Sequence, residues 1–110
     1  MLKKRTIPEI KNLFDLSGKA AIVTGGSGGF GRAAARGLAA YGADVVVTSR
    51  TLSSLEETAE EVKETGRKVV PISCDVTDPA SVEAMVAQTV RDLGRVDICL
   101  LYTSPSPRDS

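Results

Sequence analysis

The chain has 110 residues, with fourteen Lys and Arg against fourteen Asp and Glu, no His and 42% hydrophobic residues. That is the make-up of one globular domain or a piece of one. A net charge of zero supplies no electrostatic footprint for nucleic acid or an anionic membrane, leaving small molecules as default partners, and the lack of His excludes Ser-His-Asp and Cys-His catalysis and His-containing zinc sites.

Cys74 and Cys99 form no C-x-x-C pair, and two thiols in a chain of this size do not make a secreted disulfide scaffold, so a reducing cytoplasm fits. The basic start is followed by a stretch broken by Pro8, Glu9 and Lys11, so no signal peptide is expected. No apolar run approaches the roughly 18 residues of a membrane span. Residues 1–19 read as a basic N-terminal arm, in which Leu13, Phe14 and Leu16 either dock on the domain or belong to a partly ordered terminus.

From Ala20 strand and helix alternate. Residues 20–24 form a short apolar strand, 25–31 a glycine loop and 32–41 an alanine-rich helix closed by Gly42. Residues 44–48 form a second strand, whose consecutive Val45, Val46 and Val47 fit a strand covered on both faces of a parallel sheet. The next helix is expected to start near Ser53, which with Glu56 matches a capping box; Leu52, Leu55, Ala59 and Val62 recur at helical spacing and Gly66 is the stop. Glu56, Glu57, Glu60, Glu61 and Glu64 are read as its solvated face rather than an acidic docking surface.

Residues 68–73 form a third strand, and Pro71, which cannot donate to a ladder, places it at a sheet edge. Asp78 and Pro79 then cap and open a third helix. Its apolar stripe is Val82, Met85, Val86, Thr89, Val90 and Leu93, with Met85 in the core and Gly94 as the stop. Residues 96–100 begin a fourth strand. This alternation predicts an α/β fold: a three-layer, Rossmann-type, doubly wound parallel sheet of order 3-2-1-4, truncated after the start of its fourth strand.

The chemistry sits in the loop Thr24-Gly25-Gly26-Ser27-Gly28-Gly29-Phe30-Gly31. It joins strand to helix, the context of a dinucleotide phosphate site, where glycines let the backbone approach a pyrophosphate and the helix start supplies free N–H groups. The loop fits G-x-G-x-x-G through Gly26, Gly28 and Gly31, and T-G-x-x-x-G-x-G through Thr24, Gly25, Gly29 and Gly31. A P-loop fails, because Arg32 and Ala33 stand where Lys and Ser/Thr are needed.

An Asp or Glu about twenty residues beyond such glycines would hold the ribose hydroxyls of NAD. Here the second strand ends in Thr48-Ser49-Arg50-Thr51. An arginine beside hydroxyls binds a 2′-phosphate that a carboxylate would repel, so NADP(H) is favoured over NAD(H). Asp75 lies at the same edge and either accepts from the adenine amino group or caps the following turn.

Together these residues resemble the short-chain dehydrogenase/reductase family, on Thr24-Gly25 with Gly29 and Gly31, on Arg50, and on Cys74-Asp75-Val76-Thr77-Asp78. The lead-in Phe14-Asp15-Leu16-Ser17-Gly18-Lys19 is similar to gluconate 5-dehydrogenase-like members. The resemblance implies that Gly25, Ser27, Gly28, Gly29, Phe30 and Gly31 line the pyrophosphate, that Arg50 meets the 2′-phosphate, and that Asp75 and Val76 contact adenine. NADP-using relatives often carry a basic residue where this chain has Gly28, which departs from that pattern. The family's Asn-Asn-Ala-Gly and Tyr-x-x-x-Lys do not occur: Tyr41 is followed four residues on by Val45, and Tyr102 by Ser106. No catalytic or metal-binding residue is therefore expected in this chain.

The stretch from Cys99 to Asp109 resembles the conceptual translation of a sequencing adapter, and its Pro105 and Pro107 would break a central strand. The expected organisation is thus a basic arm (1–19), a partial NADP-binding Rossmann domain (20–98) and a non-native tail (99–110), the alternative tail being a genuine Ser/Pro segment. The resemblance implies a cytoplasmic, homo-oligomeric parent that interconverts a secondary alcohol and a ketone, with a sugar acid among the substrate classes. The alternatives are a non-catalytic NADP(H)-binding module and a non-functional, aggregation-prone truncated product.

Overall fold

A computed structural model of the chain describes residues 14–25 and 28–100. Strand β1 (Ala20–Thr24) leads to helix α1 (Gly29–Ala40) and strand β2 (Asp44–Ser49). A short 3-10 turn (Leu52–Leu55) precedes helix α2 (Glu56–Lys63), followed by strand β3 (Val69–Ser73), helix α3 (Pro79–Leu93) and strand β4 (Ile98–Leu100). The strands form one four-stranded sheet in the order β3-β2-β1-β4, and each neighbouring pair is parallel.

The valine run of β2 explains the layering. Successive strand side chains face opposite sides of a sheet. Val45 and Val47 accordingly join Val23, Ala35, Ala39, Leu55 and Val62 in a core under α1 and α2. Val46 joins Ile22, Ile72, Cys74 and Met85 in a second core under α3. Both sides of β2 are covered, so no polar alternation is possible over Val45, Val46 and Val47, all fully buried. Gly31, Ala35 and Ala39 form the buried side of α1, and their small size lets that helix lie close to the sheet.

Pro71 lies opposite Val47 on β3, the edge strand, as its missing N–H requires. Asp78 caps α3, its carboxylate accepting from the Ala80 N–H at 3.1 Å, with Pro79 at the first helical position. Gly94 ends that helix in the left-handed conformation. On the other side of the sheet, Leu16 donates its backbone N–H to the Tyr41 carbonyl at 2.7 Å and packs against the α1–α2 core, while the Phe14 ring lies 6.3 Å from that of Tyr41. Leu13 lies outside the described residues.

Two local expectations need correction. The Ser53–Glu56 capping box does not form: the chain enters its helical path earlier, at Thr51, and Leu55, with no side-chain cap, precedes α2. Ser53 is thereby already inside the turn, and neighbouring Ser54 donates to the Thr51 carbonyl at 2.6 Å instead. Leu52 consequently points outward and is exposed, whereas Leu55, Ala59 and Val62 are buried. On α3, Met85 lies in the core as expected, while Val86 and Val90 of the same stripe are exposed. The acidic face of α2 is not wholly solvated: Arg32 of α1 pairs with Glu57 at 3.1 Å and with Glu61, joining the two helices.

Candidate functional site

Parallel pairing in register (Thr24 opposite Thr48, Thr48 opposite Ile72, Ser49 opposite Ser73) aligns the carboxyl ends of β1, β2 and β3 on one edge. The loops leaving them converge there, although they are far apart in the chain. Thr24, Gly25, Thr48, Ser49, Arg50, Cys74 and Val76 line a cleft of about 160 Å³. The open end of a doubly wound sheet is where such folds bind ligands.

The first loop brings a helix start to this edge. Gly25 turns the chain with a φ of +68°, a conformation that side chains with a Cβ rarely adopt. Gly28 donates its N–H to the Gly25 carbonyl at 3.1 Å and precedes α1 without a side-chain cap, and the first turn of α1 carries no acidic residue. Its leading N–H groups and positive dipole end therefore suit an anion. A Cβ at Gly28 would come no closer than 3.7 Å, to the Gly25 carbonyl, and one at Gly29 would meet nothing within 4 Å. The packing around Gly28 and Gly29 thus does not demand glycine at either position and leaves the helix start open. Phe30 is exposed on the first turn and Gly31 buried beneath it; α1 begins at Gly29, three residues before the expected start. Gly26 and Ser27 lie outside the described residues.

The second loop is fastened by short hydrogen bonds. Ser49 Oγ donates to the Thr51 carbonyl at 2.9 Å and meets Ser54 Oγ at 2.8 Å. Ser73 Oγ donates to the Arg50 carbonyl at 2.8 Å, and the Cys74 N–H to the Ser49 carbonyl at 2.8 Å. The backbone of Arg50 is thereby anchored while its side chain, 75% exposed, reaches within 3.9 Å of Asp75 Oδ1. A tethered backbone with an exposed guanidinium is suited to meeting a charged group at the mouth of the cleft.

Asp75 forms the third wall. Its Oδ1 accepts from the Thr77 Oγ1 at 2.7 Å and the Thr77 N–H at 3.0 Å, which hold the carboxyl below its usual range, with Arg50 adding a smaller effect. The Asp75 N–H donates to Ser81 Oγ at 2.9 Å. Turn capping, one of the two roles open for Asp75, is therefore made. The side chain still presents part of its surface at the same edge, and Val76 is exposed beside it.

Among the described residues, the structure thus gathers Gly25, Arg50 and Val76 around one cleft, places Asp75 against Arg50, and sets Gly28, Gly29, Phe30 and Gly31 at the adjoining helix start. Four lining residues were not singled out from sequence as binding residues: Thr24, Thr48, Ser49 and Cys74. Thr48 is fully buried, and its Oγ1 has no hydrogen-bond partner among the described residues. A threonine at the end of an unbroken valine run was the available signal, since a polar side chain inside a two-sided strand has to find a partner. A larger apolar groove of about 480 Å³ lies elsewhere, between the lead-in, α1 and β4, lined by Phe14, Leu16, Leu38, Tyr41, Ile98 and Leu100 among others.

Residues 19–102 match the family described as short chain dehydrogenase. The chain is 44% identical over 94 residues to the NADP-dependent mannitol dehydrogenase of Alternaria alternata, covering 82% of this chain and 35% of that protein. It is 43% identical over 89 residues to gluconate 5-dehydrogenase of Gluconobacter oxydans (strain 621H), covering 81% and 35%. A solved short-chain type dehydrogenase/reductase from Mycobacterium marinum superposes with a TM-score of 0.78 at 44% identity, over 80% of this chain and 35% of that one. The chain therefore spans about a third of the length of these relatives. On its glycine loop, its strand order and this match across most of its residues, the chain belongs to the short-chain dehydrogenase family.

Proposed function

We propose that the protein is an NADP(H)-dependent oxidoreductase that interconverts a secondary alcohol and a ketone, and that the residues described here form its cofactor-binding part. The observation that carries the reading is the cleft at the carboxyl ends of β1, β2 and β3 with the tethered Arg50 at its mouth. The residues fit such a group. Gly28 and Gly29 leave space at an uncapped helix start, a cationic side chain stands where NAD-using sites place a carboxylate, and a buried hydroxyl in the lining lacks a partner.

In this reading Gly25, Ser27, Gly28, Gly29, Phe30 and Gly31 surround the pyrophosphate, largely through backbone N–H groups. Arg50 donates to the 2′-phosphate. Asp75 accepts from the adenine amino group and Val76 packs beside the ring. A bound nicotinamide dinucleotide supplies the hydride chemistry; these residues bind and orient it. We assign no catalytic residue to this chain and propose that the proton-transfer groups lie in the part of a relative-sized protein beyond it. The names of the two relatives support a polyol or sugar acid as the first substrate classes to test. A cytoplasmic homo-oligomer completes the proposal.

Fluorescence titration of full-length protein with NADPH and NADH, followed by turnover assays on polyols, sugar acids and ketones, tests it. Tighter binding of NADPH together with turnover is expected. Binding without turnover on every class would make the protein a binding module, and absence of binding to either dinucleotide would overturn the reading altogether.

A further inference from the structure

Among the described polar side chains that line the cleft, all but one have partners. Thr24 Oγ1 donates to the Leu100 carbonyl at 3.3 Å, Ser49 bonds Thr51 and Ser54, and Arg50 faces Asp75. Thr48 has none for its Oγ1, yet it is fully buried. Valine has nearly the same shape, occupies the three preceding positions, and would avoid the penalty of a buried, unsatisfied hydroxyl. An orphaned hydroxyl on the floor of a ligand cleft is therefore a donor held in reserve.

We propose that Thr48 is a cofactor-recognition residue whose hydroxyl bonds the adenosine ribose once the cleft is filled. The inference rests on the dinucleotide reading above. Arg50 and Asp75 flank this cleft, so its occupant is the adenosine half of the molecule, whereas the pyrophosphate belongs at the α1 start. At about 160 Å³ the cleft is smaller than the roughly 300 Å³ of the smallest usual ligand pockets. Seating a nucleoside has to part its walls, and Thr48, on the floor between Thr24 of β1 and Ile72 of β3, is uncovered by that parting. The ribose offers hydroxyl and ether oxygens to accept the bond, and the bound state gains what the empty state lacks.

The test uses full-length protein and Thr48→Val and Thr48→Ser variants, with affinities for NADP+ and for 2′,5′-ADP measured by calorimetry and Tm measured without ligand. Thr48→Val should bind both ligands about five- to tenfold more weakly, the worth of one hydrogen bond, while melting at or above the wild-type temperature. Thr48→Ser, which keeps the hydroxyl, should stay within about twofold of wild type. Equal affinities for wild type and Thr48→Val would overturn the proposal, as would equal losses in Val and Ser, which would mark Thr48 as a packing residue. If wild-type protein bound neither ligand, the dinucleotide reading would fail and this inference with it; if wild type bound and Thr48→Val bound equally, only this inference would fall.

Discussion

Replacing Arg50 with Asp is the most direct probe of cofactor choice. The guanidinium is 75% exposed and its backbone is tied by Ser73 and, through neighbouring Ser49, by Cys74, so the substitution changes charge at the cleft mouth without disturbing a buried contact. Surface changes of this kind usually alter stability by about 0.5 kcal/mol or less. Binding is another matter. A charge-assisted bond to the 2′-phosphate contributes about 1.5–3 kcal/mol, so its loss weakens NADPH by about 10- to 150-fold. The new carboxylate would stand beside Asp75, held ionised by Thr77, and the pair would repel the phosphate further. NADH carries no such phosphate, and a carboxylate there accepts from its ribose hydroxyl. The ratio of kcat/KM for NADPH over NADH should therefore fall by about two orders of magnitude, measured at constant ionic strength because exposed charges are screened. A ratio that moves by less than about fivefold, with melting unchanged, would reject Arg50 as the reader of the phosphate.

Stability carries three further tests. Gly42→Ala forces a Cβ into a residue at φ +110° and within 2.9 Å of both the Ser17 N and Oγ; a loss of about 2–4 kcal/mol is expected in urea unfolding, and a loss under about 1 kcal/mol would contradict the strain argument. Leu55→Ala empties a fully buried site in the α1–α2 core and should cost about 2–5 kcal/mol, an effect that a repacked core would reduce below about 1 kcal/mol. Asp15, Asp75 and Asp97 titrate below their usual 3.8 because Ser17, Thr77 and Arg95 hydrogen-bond their carboxylates. All three are ionised in both states above that value, so their stabilisation is complete there and is lost as pH falls from 3.8 through the lower folded-state values, the unfolded chain taking up protons first. A urea midpoint that held constant down to about pH 2.5 would show that these bonds do not stabilise the fold.

Much of the architecture was legible because two periodicities and a few punctuating residues coincide. Pro71 marked an edge strand, Asp78-Pro79 a helix start and Gly94 its end, and each does so for a reason that acts within a few residues. The capping box was misread for a non-local reason. Ser54 is drawn to Ser49 and to the Thr51 carbonyl, bonds that depend on how β2 delivers the chain to the turn. Helical spacing placed Met85 in the core, where it lies, but spacing reports only which residues share a helix face, and Val86 and Val90 of the same stripe are exposed. Likewise the pairing of Arg32 with Glu57 and Glu61 needs the packing of α1 on α2, which charge pattern along one helix does not contain.

The site divides along the same line. The glycine loop and Arg50 were visible because their residue types are unusual where they stand, whereas Thr48 became informative only when its surroundings were known. A threonine in a strand is ordinary; a threonine with no exposure and no partner is not. The parallel register makes this position matter. Thr48 sits between Thr24 and Ile72, one residue short of where β2 gives way to the loop carrying Arg50, so it is close enough to the edge to underlie the cleft and deep enough to be sealed from water. The valines before it fix the strand from both sides, and the cost of leaving its hydroxyl unpaired falls on a strand with burial to offset it. A two-sided core thus supports an unsatisfied group at its rim, and a ligand that satisfied the group would gain affinity from a cost already met in folding.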